Sequence, residues 1–169
     1  MLRVLVPIDG SRNSNFVVPH LIREFHKNRA LKIHLLNVRP WFRTYVAQIR
    51  GGRDLKDLHR EQGEKALLPA RKALDGFGVP YLVHIEEGDK AEVIAATARR
   101  LCCDHIVMST ARRNSLTRMF RDSVTHQVIE STNVPVELIA GDAPSNVDRY
   151  GVPASIGAGL ALAFLAAAD

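Results

Sequence analysis

Five short apolar segments alternate with four longer amphipathic segments along this chain, and the alternation restricts the possible folds more than any other feature. The short segments have the length of strands, and the longer ones carry apolar residues at helical spacing. The predicted strands are 3–8, 32–38, 81–86, 105–109 and 134–139, and the predicted helices are 13–27, 54–74, 91–101 and 122–131. This order predicts an α/β fold with an open five-stranded parallel sheet and helices on both faces.

The composition of the strands predicts their order in the sheet. The first, second and fourth strands are almost continuously apolar, as expected for strands that helices cover on both faces. The third strand alternates apolar and polar residues, and the fifth contains Pro135, which cannot donate a hydrogen bond to a central ladder. We therefore expect the third and fifth strands at the edges, which gives the order 3-2-1-4-5.

This strand order also predicts where a ligand would bind. In open α/β sheets, ligands bind beyond the carboxyl ends of the strands at the point where the order reverses, here between strands one and four. Strand one is followed by Asp9, Gly10 and Ser11. We expect Asp9 and Ser11 to cap the first helix and to hold a ribose.

The turn after strand four forms the other half of the predicted site and is unusual in composition. Segment 108–124 reads MSTARRNSLTRMFRDSV, with four arginines and no glycine. Turns that bind phosphate at a helix start are commonly rich in glycine. Two interpretations stay open: the arginines form a patch that binds a small anion, or the segment is a solvated loop whose bases pair with local acids.

Three stretches of the sequence resemble the universal stress protein family: VLVPIDGS, LLNV and DSVTHQVIESTNVPVELI. The resemblance covers residues 1 to about 141 and implies a Rossmann-like sheet of the adenine-nucleotide-binding alpha-hydrolase type. In nucleotide-binding members, a turn G-x-x-G-x9-G-[ST] after strand four holds the ATP phosphates. An aspartate after strand one and the backbone after strand two hold the nucleoside.

The resemblance implies a site at corresponding positions of this chain, but most of the motif is altered. The residues at these positions are Asp9, Val38, Ser109, Arg112, Asp122 and Ser123. Only Asp9 and Ser123 match the family pattern. Arg112 adds a side chain where phosphate would approach the backbone. Asp122 adds a carboxylate that would cap the helix amides and repel phosphate. The chain is therefore similar to the branch of the family that lost the glycine motif and is thought not to bind ATP.

These residues predict a stress-responsive binding or interaction protein with a degenerate nucleotide site, no cofactor and no enzymatic activity. The alternative is a nucleotide switch that binds ATP or AMP with magnesium and hydrolyses ATP slowly. A third interpretation is a dimeric scaffold for an unknown protein partner. Neither HExxH nor G-x-S-x-G occurs. His34 and His84 are predicted to face each other on neighbouring strands, but no third residue stands at metal-ligand spacing.

Charge and cysteine content restrict the binding partners and the cellular compartment that we expect for this chain. The net charge of +5 is mild. Trp41, Phe42 and Tyr45 lie among basic residues in a loop that we expect to cover the site or a partner, and nucleic-acid binding would need a longer basic face. The only cysteines, Cys102 and Cys103, are adjacent and are expected to be buried and unpaired, which favours a reducing cytoplasm.

The last strand and the tail lead to predictions about assembly. The apolar edge formed by Val134, Val136 and Leu138 predicts a homodimer through the last strand, as the family resemblance also implies. We assign residues 1–141 to the domain and 142–169 to a linker and an apolar tail. Residues 151–168 carry no charge, but their glycines and Pro153 make a membrane span marginal. We expect instead a helix that packs on its own domain or on a partner subunit.

Overall fold

The computed structural model of the protein describes residues 2–41, 52–110 and 124–140. The strands are β1 Arg3–Pro7, β2 Lys32–Arg39, β3 Tyr81–Glu87, β4 His105–Thr110 and β5 Val136–Ala140. The helices are α1 Val17–Lys27, α2 Gly52–Gly76, α3 Lys90–Arg100 and α4 Val124–Ser131, and a 3-10 helix, Asn13–Phe16, precedes α1. The described elements therefore follow the alternating β-α order that the sequence predicts.

All neighbouring strands are parallel and follow the order β3-β2-β1-β4-β5, so the predicted topology is confirmed. β1 lies at the centre, with Val4 opposite Ile33 of β2 and Leu5 opposite Ile106 of β4. The two strands predicted as edges, β3 and β5, occupy those positions. The order reverses beside β1, because the chain first builds outward to β3 and then crosses back to β4.

The sheet separates two apolar cores because side chains of a strand alternate between its faces. Val4 and Val6 of β1 pack with α1 and α2 on one face. Leu5 packs on the other face with residues of α3 and α4, among them Ile94 and Val128. Both faces of β1 are thus covered, which explains its uninterrupted apolar sequence.

The structure refines several predicted boundaries. Segment 13–16 forms a 3-10 helix, and the α-helix begins at Val17. Pro19 therefore lies in the first turn of α1, where a missing N–H leaves no intrahelical bond unmade. The last strand begins at Val136, after Pro135, whose carbonyl accepts a hydrogen bond of 2.9 Å from the Ile106 amide.

The prediction that both cysteines are buried is wrong for one of them. Cys103 is buried, but Cys102 is exposed. Cys102 also has a φ of 51°, the left-handed conformation that often ends a helix. It directly follows Leu101, which closes α3, so the end of the helix turns this side chain outward while Cys103 packs inward.

Several sequence predictions fall outside the described residues. They concern Phe42, Tyr45, Arg112, Asp122, Ser123 and the tail from residue 142. Within the ranges that the structure does describe, no helix is long and apolar enough to cross a membrane. The same ranges contain no group of three or more side chains arranged to hold a metal ion.

Candidate functional site

A crevice opens at the carboxyl ends of β1 and β4, where the strand order reverses. It encloses a cavity of about 90 Å³. Four residues predicted from the sequence line it: Asp9, Ser11, Val38 and Ser109. Further lining residues include Asn13, Ser14, Lys90, Ile94 and Met108. The crevice therefore lies where the topology predicts a ligand site.

The turn after β1 is organised around the Asp9 carboxylate. Its Oδ1 accepts a hydrogen bond of 2.9 Å from the Ser11 amide. Ser11 Oγ in turn accepts one of 3.1 Å from the Ser14 amide, and the Ser14 hydroxyl donates to the Ser11 carbonyl at 3.0 Å. Burial raises the pKa of Asp9, but hydrogen bonds from Ser11 and Ser14 and the charge of Lys90 outweigh it, so the pKa lies below its usual range. Asp9 is therefore ionised at neutral pH.

Gly10 gives this turn its shape without lining the crevice. Its φ is +85°, a conformation that residues with a side chain rarely adopt. A Cβ atom at this position would lie 3.0 Å from Ala66 Cβ and 3.1 Å from Ala66 Cα on α2. The turn can therefore pack against α2 only because residue 10 has no side chain.

Buried polar contacts fix the backbone on which Asp9 is mounted. The Ile8 amide donates to the Leu36 carbonyl at 2.8 Å and extends the β1–β2 ladder beyond β1. Asn37 is 1% exposed, and its Nδ2 donates to the Ile8 carbonyl at 2.6 Å. Val38, the next residue of β2, lines the crevice. The floor of the site is thus tied to the sheet and not only to a loop.

Lys90 contributes a positive charge that the sequence analysis missed. It is the first residue of α3, where Asp89 accepts hydrogen bonds from the Ala91 and Glu92 amides at 3.0 and 3.1 Å. A cation in the first turn opposes the helix dipole. A lysine directly after a capping aspartate does not stabilise the helix. This position was therefore a sequence signal that Lys90 could have another role.

Ser109 connects the two sides of the crevice. It lies in β4, and its hydroxyl donates a hydrogen bond of 2.6 Å to the carbonyl of Asn13 in the 3-10 helix. This contact directs the Ser109 donor toward the protein backbone. Asn13 carried no sequence signal for this contact, because the atom that accepts the hydrogen bond is its backbone carbonyl.

The structure thus brings together part of the predicted site. The crevice is lined by Asp9, Ser11, Val38 and Ser109. Gly10 does not line it, but allows the turn to pack against α2. Arg112, Asp122 and Ser123 lie outside the described residues, so their predicted roles stay predictions. Val124, the first described residue after that gap, lines the crevice, which places the start of α4 beside it.

The strand order and the crevice at its reversal point define a doubly wound α/β protein with a candidate site between β1 and β4. The profile of the universal stress protein family matches residues 1–139, and the chain belongs to this family. A universal stress protein of Methanocaldococcus jannaschii is 28% identical over 141 residues, which cover 81% of this chain and 81% of the relative.

Solved structures share the fold at lower identity. A universal stress protein family member from Burkholderia pseudomallei aligns with a TM-score of 0.61 and 23% identity, covering 81% of this chain and 94% of the other. A family protein of Arabidopsis thaliana, solved with AMP bound, aligns with a TM-score of 0.58 and 16% identity, covering 91% and 97%. At these identities the similarity concerns the fold.

Proposed function

We propose that the protein is a stress-responsive binding protein of the cytoplasm, that its crevice is a degenerate nucleotide site, and that it catalyses no reaction. The observation that carries the proposal is the hydrogen bond from Ser109 to the Asn13 carbonyl. Ser109 occupies the position of the first glycine in the family motif that holds ATP phosphates. Its side chain instead joins the two sides of the crevice, and its donor is already engaged.

The size of the crevice supports the same proposal. Pockets that bind organic ligands usually have volumes of about 300–1,000 Å³. The cavity beside Asp9 has about 90 Å³. A nucleotide would therefore need the crevice to widen before it could enter, and this reduces its affinity.

The charges in the crevice also support the degenerate-site proposal. The crevice contains the ionised Asp9 carboxylate as well as Lys90, so it does not offer a purely positive surface to a phosphate group. Phosphate groups need positive charges or free amide donors. We propose that only a small anion binds near the turn after β4, where Arg112 and Ser123 would contact it. The proposed output is recognition of a protein partner.

A nucleotide switch that binds ATP or AMP with magnesium and hydrolyses ATP slowly is the second candidate. Asp9 favours it, because an ionised carboxylate beside an apolar strand end can accept hydrogen bonds from ribose hydroxyls. The Arabidopsis thaliana protein with AMP bound, which has the same fold, supports it too. In this candidate Lys90, which lines the same crevice, would pair with a phosphate.

Calorimetric titration of the purified protein with ATP and magnesium, and separately with AMP, tests the proposal. We expect no saturable binding of either nucleotide at micromolar concentrations. Micromolar binding of ATP or AMP would overturn the degenerate-site proposal and favour the switch. Magnesium alone is the matched control titration, because its heat must be subtracted before any nucleotide signal is assigned.

A further inference from the structure

An apolar groove runs between α1 and α2, on the opposite face of the sheet from α3 and α4. It has a volume of about 440 Å³. Its apolar lining residues are Val18, Pro19, Ile22, Pro69, Ala73 and Phe77. Phe77 is 61% exposed, and no other residue of the described chain is a large hydrophobic so exposed except Trp41. This α1–α2 groove is separate from the crevice and plays no part in the proposed function.

The charge of the groove restricts what can cover it. Its polar lining residues are Asn15 and Arg23, and no carboxylate lines it among the residues that the structure describes. Two prolines, Pro19 and Pro69, contribute rigid apolar surface from the two helices. Arg23 is exposed, so an uncharged apolar segment can bury the apolar lining of the groove while this guanidinium stays in water.

The same chain contains such a segment. Residues 151–168 read GVPASIGAGLALAFLAAA and include no charged side chain. The family profile ends at residue 139, so this segment lies beyond the part of the chain shared with the family. Its larger apolar residues Ile156, Leu160 and Phe164 are spaced by four, which is the spacing of one helix face.

The path of the chain leads toward the groove. Ile139 of β5 packs on the core that α1 and α2 cover, and Glu137 Oε1 lies 3.2 Å from His20 Nε2 of α1. The chain thus leaves β5 beside α1. Two strand spacings of about 4.8 Å separate β5 from β1, and adjacent helices lie about 10 Å apart. The residues 141–150 between β5 and the segment span up to about 33 Å when extended, which is enough to cross α1.

From these observations we infer that residues 151–168 bind in the α1–α2 groove of their own chain and cover Phe77. The segment buries the apolar groove, and the groove protects the segment from water. The inference is independent of whether the crevice binds a nucleotide.

Limited proteolysis of the full chain with chymotrypsin tests the inference, because Leu160, Leu162, Phe164 and Leu165 are potential cleavage sites. Phe77→Asp places a charge in the groove and should release the segment. We expect its cleavage, followed by intact-mass spectrometry, to accelerate about tenfold, since a buried phenylalanine contact is lost. Leu68→Asp is the matched control: Leu68 is 45% exposed on the same helix but does not line the groove. It should leave the rate unchanged.

Disulfide trapping distinguishes the possible occupants. In a chain with Cys102→Ser and Cys103→Ala, Ala73→Cys combined with Ala163→Cys, which lies beside Ile156 and Leu160 on the same helix face, should form a disulfide within one chain, whereas Lys72→Cys with Ala163→Cys should not. A disulfide between two chains would overturn the inference in favour of a second copy. Equal cleavage rates for the parent and Phe77→Asp would also overturn it. So would recovery of the full chain on phosphatidylcholine vesicles, which would assign the segment to a membrane surface.

Discussion

Single residues decide whether the turn beside the crevice can form, and Gly10 is the clearest case. Its positive φ disfavours any side chain, and a Cβ atom there would lie only 3.0 Å from Ala66 Cβ. Gly10→Ala should lower the free energy of unfolding by about 1–3 kcal/mol, because a strained backbone and a steric contact add. Gly76→Ala is the matched control, since a Cβ there meets nothing within 4 Å. Urea denaturation of both variants measures the difference, and equal stability would refute the steric argument.

The residue pair His34 and His84 confirms a prediction from sequence and introduces a pH dependence. His34 Nδ1 and His84 Nε2 lie 3.0 Å apart, so one ring donates and the other accepts. Burial lowers the pKa of His34, and the positive charges of His84, Arg3 and Lys32 add to this effect. Burial also lowers the pKa of His84, together with the charge of Arg100, while Glu86 acts in the opposite direction.

These lowered pKa values predict that acid destabilises the fold. Below the ordinary histidine pKa of about 6.5, the unfolded chain binds protons that the folded pair resists. The free energy of unfolding should therefore be highest above that pH. It should decrease as the pH falls toward the lowered pKa values of the folded pair. His84→Gln should reduce the slope in urea titrations between pH 7.5 and 5.5, and the exposed His26→Gln should not. A parent protein with constant stability over this range would contradict the account.

The residues of the crevice show what sequence can and cannot predict at this scale. Asp9 and Ser109 line the crevice at the strand ends where the strand order predicts a site, while their roles in binding stay predictions. Lys90 was missed because it comes from α3, a third element, and no strand-end argument includes helix starts. Asn13 was missed because its contribution is a backbone carbonyl, which every residue type possesses.

At the scale of elements, apolar runs and helical spacing predicted the five strands and four α-helices of the described residues, whereas the boundaries depended on local contacts. Helix α3 begins at Lys90 because the Asp89 side chain binds two free amides. The segment 13–16 forms a 3-10 helix before α1, where Ser11 and Ser14 hydrogen-bond locally. Such contacts involve side chains and backbone of neighbouring residues, so apolar spacing does not report them.

The cap of α3 provides a test at this scale. Asp89→Ala should lower the free energy of unfolding by about 1 kcal/mol, because the Ala91 and Glu92 amides lose their acceptor. Asp89→Asn should retain most of the stability, since asparagine is also a good N-cap. Thermal and urea denaturation of the two variants measure the difference. Equal losses in both would show that the charge, and not the hydrogen bonds, stabilises the helix.

At the scale of the whole molecule, the two edge strands offer a matched test of assembly. Leu138 on β5 is 36% exposed, and Leu82 on β3 is 55% exposed. We propose a homodimer through β5, in which Val134, Val136 and Leu138 meet their symmetry mates. Leu138→Asp should give a monomer at micromolar concentration in light scattering, whereas Leu82→Asp should remain dimeric. A monomeric parent would exclude this interface.

The central proposal is that changes in the turn after β4 made the nucleotide site degenerate. Restoring the three motif glycines with Ser109→Gly, Arg112→Gly and Asp122→Gly therefore tests it most directly. Removing one negative charge near the phosphates should improve the free energy of ATP binding by on the order of 1 kcal/mol. Each amide that is freed to bind phosphate should add about as much per hydrogen bond. The added substitution Asp9→Asn is the control, because it removes the carboxylate expected to hold the ribose.

The decisive measurement is calorimetric titration of the parent and the glycine variant with ATP and magnesium. We expect the glycine variant to bind ATP at least about tenfold more tightly than the parent, as the sum of these two contributions requires. We also expect Asp9→Asn to remove most of that gain. Equal affinities of the parent and the glycine variant, or micromolar ATP binding by the parent itself, would contradict the proposal.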